Sequence, residues 1–252
     1  MGTFRITNDD DSQVEFDLSS SKGIVALENY NSSSAIRFDQ VTGLARVVVE
    51  NVTNVGASDT IVEFQDAVVA GKADSVDVSL VGGNVNLLRL GQVSSPAGNT
   101  GVEAVNLTTS GGVLTLGQLD SDIKVLNIYG SGVTIISPLN QTISVVNAAN
   151  IAGPITLSVL GALGSVDIIS AAGEDVIVGS NNADRISSGA GADTITGGAG
   201  TDSINAGAGS DVIVGADAGD MVTVVRIPTR CVCLRAIRLL QMRTWRASRT
   251  SR

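Results

Sequence analysis

Six aspartates stand nine residues apart between Ser170 and Thr223: Asp175, Asp184, Asp193, Asp202, Asp211 and Asp220. A large aliphatic residue follows each by two positions (Ile177, Ile186, Ile195, Ile204, Ile213, Val222), and a glycine-rich step such as Gly197-Gly198-Ala199-Gly200-Thr201 precedes most of them. Carboxylates next to a backbone that glycine leaves free to turn its carbonyls inward are oxygen donors for a hard cation. Asp and Gly are also ordinary turn residues. Turn preference explains the composition but not six aspartates in register with six aliphatics. A nine-residue period fits neither an amphipathic helix nor an alternating strand, so a repeat architecture must position these groups.

The units resemble the GGxGxDxUx nonapeptide of RTX, or haemolysin-type, calcium-binding proteins, in which two nonapeptides form one turn of a right-handed parallel β-roll. The resemblance covers about a fifth of the chain. It implies that Asp175, Asp193 and Asp211 fall on one edge of the roll and Asp184, Asp202 and Asp220 on the other, with each calcium ion between successive loops of one edge. The remaining oxygens would come from backbone carbonyls near Gly189, Gly191, Gly198, Gly200, Gly207 and Gly209. Three loops per edge leave two gaps, so about four well-formed calcium sites are expected. Asn182 replaces a glycine and is read as a residue tolerating a left-handed backbone. Ser170-Ala171 in the first unit and Ala218 in the last also depart from the pattern, which favours the loops around Asp193 and Asp202. In the stretch 161–169, Gly164 and Ile168 fit the nonapeptide while Val166 takes the aspartate position; this stretch is expected to cap the roll without supplying a carboxylate. Without calcium, stacked carboxylates repel one another in a segment with few apolar groups, so calcium is expected to drive its folding.

The rest of the chain must carry that roll. At 252 residues it can hold one or two domains, and with 3% aromatics its core must come from Val, Ile and Leu. The expected class is all-β: a C-terminal roll stacked on an N-terminal β-solenoid-like or β-sandwich region. Residues 1–65 alternate polar and apolar in pieces such as Val14-Glu15-Phe16-Asp17-Leu18 and Ala45-Arg46-Val47-Val48-Val49, which read as half-buried strands. Residues 66–169 carry a looser rhythm: Val76-Asp77-Val78, Val105-Asn106-Leu107, Leu126-Asn127-Ile128, Val146-Asn147-Ala148 and Val166-Asp167-Ile168, the last four spaced by 21, 20 and 20 residues. That spacing suggests stacked coils whose central Asn and Asp side chains form a ladder, with a β-sandwich and chance spacing as the alternative. Residues 170–223 are the roll, and 224–252 an atypical Arg-rich tail, shifted in frame or disordered.

Charge is divided unevenly. Residues 1–223 hold all 25 acidic residues and 8 of the 16 basic ones, a formal charge of −17, while 224–252 hold the other 8, all arginine. An acidic body argues against nucleic acid and for cations as partners. The chain has no histidine, which excludes HExxH zinc chemistry and Ser-His or Cys-His nucleophiles. It also lacks a GxSxG elbow and a GxxxxGK[ST] phosphate loop. Asp120 and Asp122 are the nearest thing to a catalytic carboxylate pair, and they read as a solvated turn. A non-catalytic protein is therefore expected. No run is long and apolar enough for a transmembrane segment, and Met1–Gln13 lacks a signal-peptide core.

The resemblance implies export by type I secretion to the extracellular space or bacterial cell surface, in an S-layer or adhesin. Calcium is the first partner, and self-association in a surface lattice or a cell-surface glycan are further candidates. The alternative is a non-catalytic module of a secreted polysaccharide-modifying enzyme or another exported protein. In the tail, arginine is the only charged residue, and both cysteines (Cys231, Cys233) and the only tryptophan (Trp245) occur there. It reads either as a basic amphipathic helix over 232–246 or as translation in a shifted frame, which would remove the export signal. The shifted frame is the expectation adopted.

Overall fold

The computed structural model describes residues 2–9, 12–52, 60–65, 67–69, 74–85, 88–92, 102–110, 113–116, 123–131, 133–136, 139, 142–216, 219–224 and 230–232. Short β-branched runs form strands here, and turns rich in Gly, Ser and Asn separate them. One row contains β1 (Gly2–Ile6), β3 (Ile24–Tyr30), β5 (Arg46–Val52), β7 (Ser75–Val85), β9 (Ala104–Ser110), β11 (Val125–Gly130), β13 (Val145–Ile151), β15 (Asp167–Ile169), β17 (Arg185–Ser187), β19 (Ser203–Gly207) and β21 (Met221–Val224). The second row contains β2 (Val14–Asp17), β4 (Ile36–Val41), β6 (Thr60–Phe64) and β8 (Leu88–Gln92). It restarts with β10 (Val113–Leu116), β12 (Val133–Ile136), β14 (Ile155–Ser158), β16 (Val176–Val178), β18 (Thr194–Thr196), β20 (Val212–Val214) and β22 (Arg230–Val232). At the restart, β10 pairs with the end of β7, Thr115 opposite Asn84.

Among the described residues there is no helix, and every pairing between these strands is parallel. The molecule is a parallel β-solenoid whose last coils are the β-roll. Of the two forms expected upstream of the roll, the solenoid is the one found, and residues before 66 belong to the same rows. Strand β22 adds one more rung at the 18-residue spacing, Arg230 opposite Val212, inside the segment read as an atypical tail. The proposed helix over 232–246 lies outside the described residues apart from Val232, and so does the Asp120/Asp122 pair.

The coil is shortest in the roll. Val47 lies opposite Val78, Leu126 opposite Val146, and Ile168, Ile186, Ile204 and Val222 follow at 18-residue steps. The interior narrows with it. Upstream strands bury two side chains each, such as Val105 with Leu107 and Leu126 with Ile128, whereas the roll strands bury one isoleucine each (Ile177, Ile186, Ile195, Ile213) or an isoleucine with an alanine (Ile204, Ala206). All of these join one continuous core. Phe4, Phe16 and Phe38 fill the wide early coils, their ring centroids 5.4 to 6.2 Å apart.

The expected polar ladder forms along β7, β9 and β11. Asp77, Asn106 and Asn127 are register partners, the amide of Asn106 donates to Asp77 Oδ1, and that of Asn127 to Asn106 Oδ1, both at 2.9 Å. Asn147 continues the register. Asp167 does not, contrary to the 20-residue spacing: Asn147 lies opposite Ile169, and Asp167 opposite Val145. One extra residue in β13, at the irregularity opposite Asn127–Tyr129, and one between β14 and β15 make this coil two residues longer than the spacing suggests. A slip of two preserves the pleat parity, so Ile168 still faces the core behind Val146.

Truncating Leu126 (L126A) in this continuous core should cost about 2–5 kcal/mol. N127A, which removes one rung of the outer ladder, should cost about 1 kcal/mol. Denaturant unfolding of both variants at one fixed calcium concentration measures the difference.

Candidate metal centre

Each aspartate of the repeat ends a loop that leads directly into a three- to five-residue strand. The loops ending at Asp175, Asp193 and Asp211 enter β16, β18 and β20, and those ending at Asp184, Asp202 and Asp220 enter β17, β19 and β21. The two groups therefore lie on opposite edges, as the 18-residue turn requires. All six carboxylates are buried, none more than 2% exposed.

One oxygen of each carboxylate has the same task at every rung: Oδ1 accepts a backbone N–H from the coil before. Asp175 N–H donates to Asp193 Oδ1 (2.9 Å) and Asp193 N–H to Asp211 Oδ1 (3.2 Å). On the other edge, Asp184 N–H donates to Asp202 Oδ1 and Asp202 N–H to Asp220 Oδ1, both at 2.9 Å. The first rung of each edge reaches out of the repeat, to Ile155 N–H at Asp175 (2.9 Å) and Val166 N–H at Asp184 (2.8 Å). Val166 thus fills the aspartate position with its backbone alone and joins the roll to the upstream coils.

The second oxygens differ from loop to loop. Ser170 Oγ donates to Asp175 Oδ2, and Ser180 N–H donates to Asp184 Oδ2 at 2.6 Å while its hydroxyl donates to Oδ1 at 2.9 Å. Oδ2 of Asp193 and Oδ2 of Asp211 are buried with no hydrogen-bond partner. Leaving an ionised oxygen buried and unpaired is costly, so each of these positions calls for a cation or a proton. Burial pushes the Asp175 and Asp211 carboxyls above the usual carboxylate range, and the neighbouring charge of Asp193 adds to this. Hydrogen bonds from Ser170 and Ile155 to Asp175, and from Asp193 N–H to Asp211, act in the opposite direction.

The glycines bring loop against loop. A Cβ built on Gly191 would lie 1.6 Å from the carbonyl oxygen of Gly173, and one on Gly209 would lie 1.6 Å from that of Gly191. Backbone therefore passes directly over backbone, which brings carbonyl oxygens within reach of the carboxylates. Among the other glycines expected to supply carbonyls, Gly189 and Gly207 stack on the same edge, and Gly198 and Gly200 lie on the opposite edge against Ser180 and Asn182. The Gly189 carbonyl already accepts Ala208 N–H at 2.9 Å. Among the described residues, no three acidic, histidine or cysteine side chains form a metal-holding group. An ion here must draw most of its six to eight oxygens from carbonyls and water, which suits calcium.

Asn182 corrects one expectation. The non-glycine residues with positive φ among those described are Asn31, Gln40 and Asn51, so Asn182 is not there for a left-handed turn. Its amide instead donates to the carbonyls of Ala162 (3.2 Å) and Gly164 (3.4 Å), tying its loop to the preceding coil. The serine hydrogen bonds to Asp175 and Asp184 escaped sequence reasoning. Their only signal was a hydroxyl residue in place of a glycine at the first or second position of the nonapeptide.

The family model of the RTX calcium-binding nonapeptide repeat (4 copies) matches residues 167–195, 178–213 and 187–222. No curated protein and no solved structure matches the chain.

Gly191→Ala should raise the calcium needed for folding at least tenfold or abolish the transition, because the added carbon meets backbone rather than a yielding side chain. Gly164→Ala, whose added carbon meets nothing within 4 Å, should leave it unchanged. Circular dichroism during calcium titration compares the two. A pH dependence also follows for the metal-free chain. Carboxyls raised by burial favour the neutral form in the fold, so their contribution is complete below the unfolded carboxylate range near pKa ~3.9 and is lost as pH rises through the folded values. In a chelator, acidification from neutral pH should therefore increase the β signal of the roll before general acid unfolding, and the calcium midpoint should fall as pH rises.

Proposed function

We propose that this chain, which carries RTX calcium-binding repeats over 167–222, is a non-catalytic, calcium-folded structural module of an exported protein at a bacterial surface. The observation that carries the reading is the pair of buried, partnerless carboxylate oxygens at Asp193 and Asp211, set between glycine-packed loops. These residues fit a hard cation, and Asp175, Asp184, Asp202 and Asp220 repeat the same position along both edges. Calcium, when bound, supplies the positive charge that offsets the stacked carboxylates and the oxygen-rich coordination that the loop carbonyls can satisfy. About four ions match the loop gaps.

The protein's own residues do the rest. The Oδ1 rungs hold each carboxylate in place, the inward isoleucines set the coil spacing, and the loop glycines allow the carbonyls to approach. Because one or two side chains are buried per strand of the roll, its hydrophobic stabilisation is small, and cation binding contributes directly to folding. Extracellular calcium modules bind at roughly 10⁻⁴ to 10⁻³ M, which leaves such a segment unfolded in a calcium-poor cytosol and folds it outside. That condition favours export through a narrow channel, and a rigid solenoid suits an S-layer or adhesin. The acidic composition and the absence of histidine support a structural rather than catalytic role.

Far-UV circular dichroism of the chain in chelator and in millimolar calcium tests the reading. A gain of β signal with a midpoint between about 0.1 and 1 mM is expected. A spectrum indifferent to calcium would overturn it.

A further inference from the structure

We infer that the first carboxylate on each edge, Asp175 and Asp184, is not a calcium ligand but a protein-capped rung that keeps the first coil folded without the ion. The calcium-holding carboxylates then begin at the third repeat. This inference rests on the calcium reading above and divides its sites.

Four observations support this division. Both oxygens of Asp175 are already used, Oδ1 by Ile155 N–H and Oδ2 by Ser170 Oγ. Asp184 is held at Oδ1 by Val166 N–H and Ser180 Oγ, and at Oδ2 by Ser180 N–H. Asp193 and Asp211 are equally buried, yet each has only its Oδ1 engaged. Ser188 occupies in the third repeat the place that Ser170 holds in the first, but its hydroxyl donates to the Ala206 carbonyl at 3.0 Å instead of to Asp193. A hydroxyl is thus present beside Asp193 and is turned to another partner, which leaves Asp193 Oδ2 for a cation.

The physical consequence is a graded segment. A carboxylate with two or three donors needs no ion to stay buried. The capped rungs lie directly above the upstream solenoid, whose strands β14 and β15 offer a complete edge for β16 and β17. The first coil of the roll is therefore a continuation of the solenoid by chemistry as well as by register.

Calcium stoichiometry of the full chain, measured by equilibrium dialysis with calcium alone, separates the rungs. D175N and D184N keep an oxygen for the backbone N–H and should bind as many ions as the unmodified chain. D193N and D211N should each bind about one fewer. A loss at D175N or D184N equal to that at D193N would overturn the inference. Hydrogen exchange provides a second measurement that does not depend on variants. In chelator, the amides of Ile155 and Val166 should exchange at least tenfold more slowly than those of Asp175 and Asp193, and only the latter pair should respond to calcium. S170A should make the Ile155 amide calcium-dependent. If all four amides gain protection together at one calcium midpoint, the capped rung does not exist. If the unmodified chain binds no calcium at millimolar concentration, it is the underlying reading that fails.

Discussion

The roll depends on one interaction repeated at every coil: a buried aspartate accepting, through Oδ1, the backbone N–H of the residue one turn earlier. This bond fixes the side chain against the axis and aligns each loop with the one before it. It also commits a carboxyl group to a place that water does not reach. The glycine packing and the demand for a cation both follow from that commitment, since a charge can remain buried only where something compensates it. The loop glycines let carbonyl oxygens come close enough to help, and the isoleucine two residues later anchors the strand that the aspartate begins.

The change in coil geometry sets the roll apart from the coils upstream. In the wider coils upstream, strands such as β9 and β11 bury two side chains each and add an outward ladder of Asp77, Asn106 and Asn127. Their apolar interior suffices. In the 18-residue coils the interior is narrower, with isoleucine after isoleucine in single file, and carboxylates occupy the corners. As the interior gets thinner, hydrophobic burial contributes less per coil and the buried carboxylates weigh more in its stability.

Much of this was legible in the sequence because the repeat ties three residue types to one period. The aspartates, the inward aliphatics and the loop glycines could be assigned to edges and faces by counting. The asparagine ladder was legible for the same reason, at Asn106 and Asn127. Counting failed where a coil changed length: Asp167 stands 20 residues after Asn147, but this coil is two residues longer, one in β13 and one between β14 and β15, and register follows the core rather than the motif. It failed again where one side chain replaced another's role. Asn182 suggested a backbone conformation and turned out to make side-chain bonds to the previous coil. Ser170 and Ser180 looked like imperfections of the repeat, and only their position relative to Asp175 and Asp184 shows them as donors.

The all-parallel rows have a kinetic meaning. Among the described residues, the widest steps between register partners are those from Val47 to Val78 and from Asn84 to Thr115, and in the roll the step is 18 residues. No strand waits for a partner from the far end of the chain, as strands in a β-sandwich do, so the entropy of closing each coil is nearly the same and is met one coil at a time. Such a molecule behaves as a one-dimensional array, in which each coil has only the one before it as template. Its folding can advance as a front along the axis, at a speed set by the local cost of one coil rather than by the length of the whole.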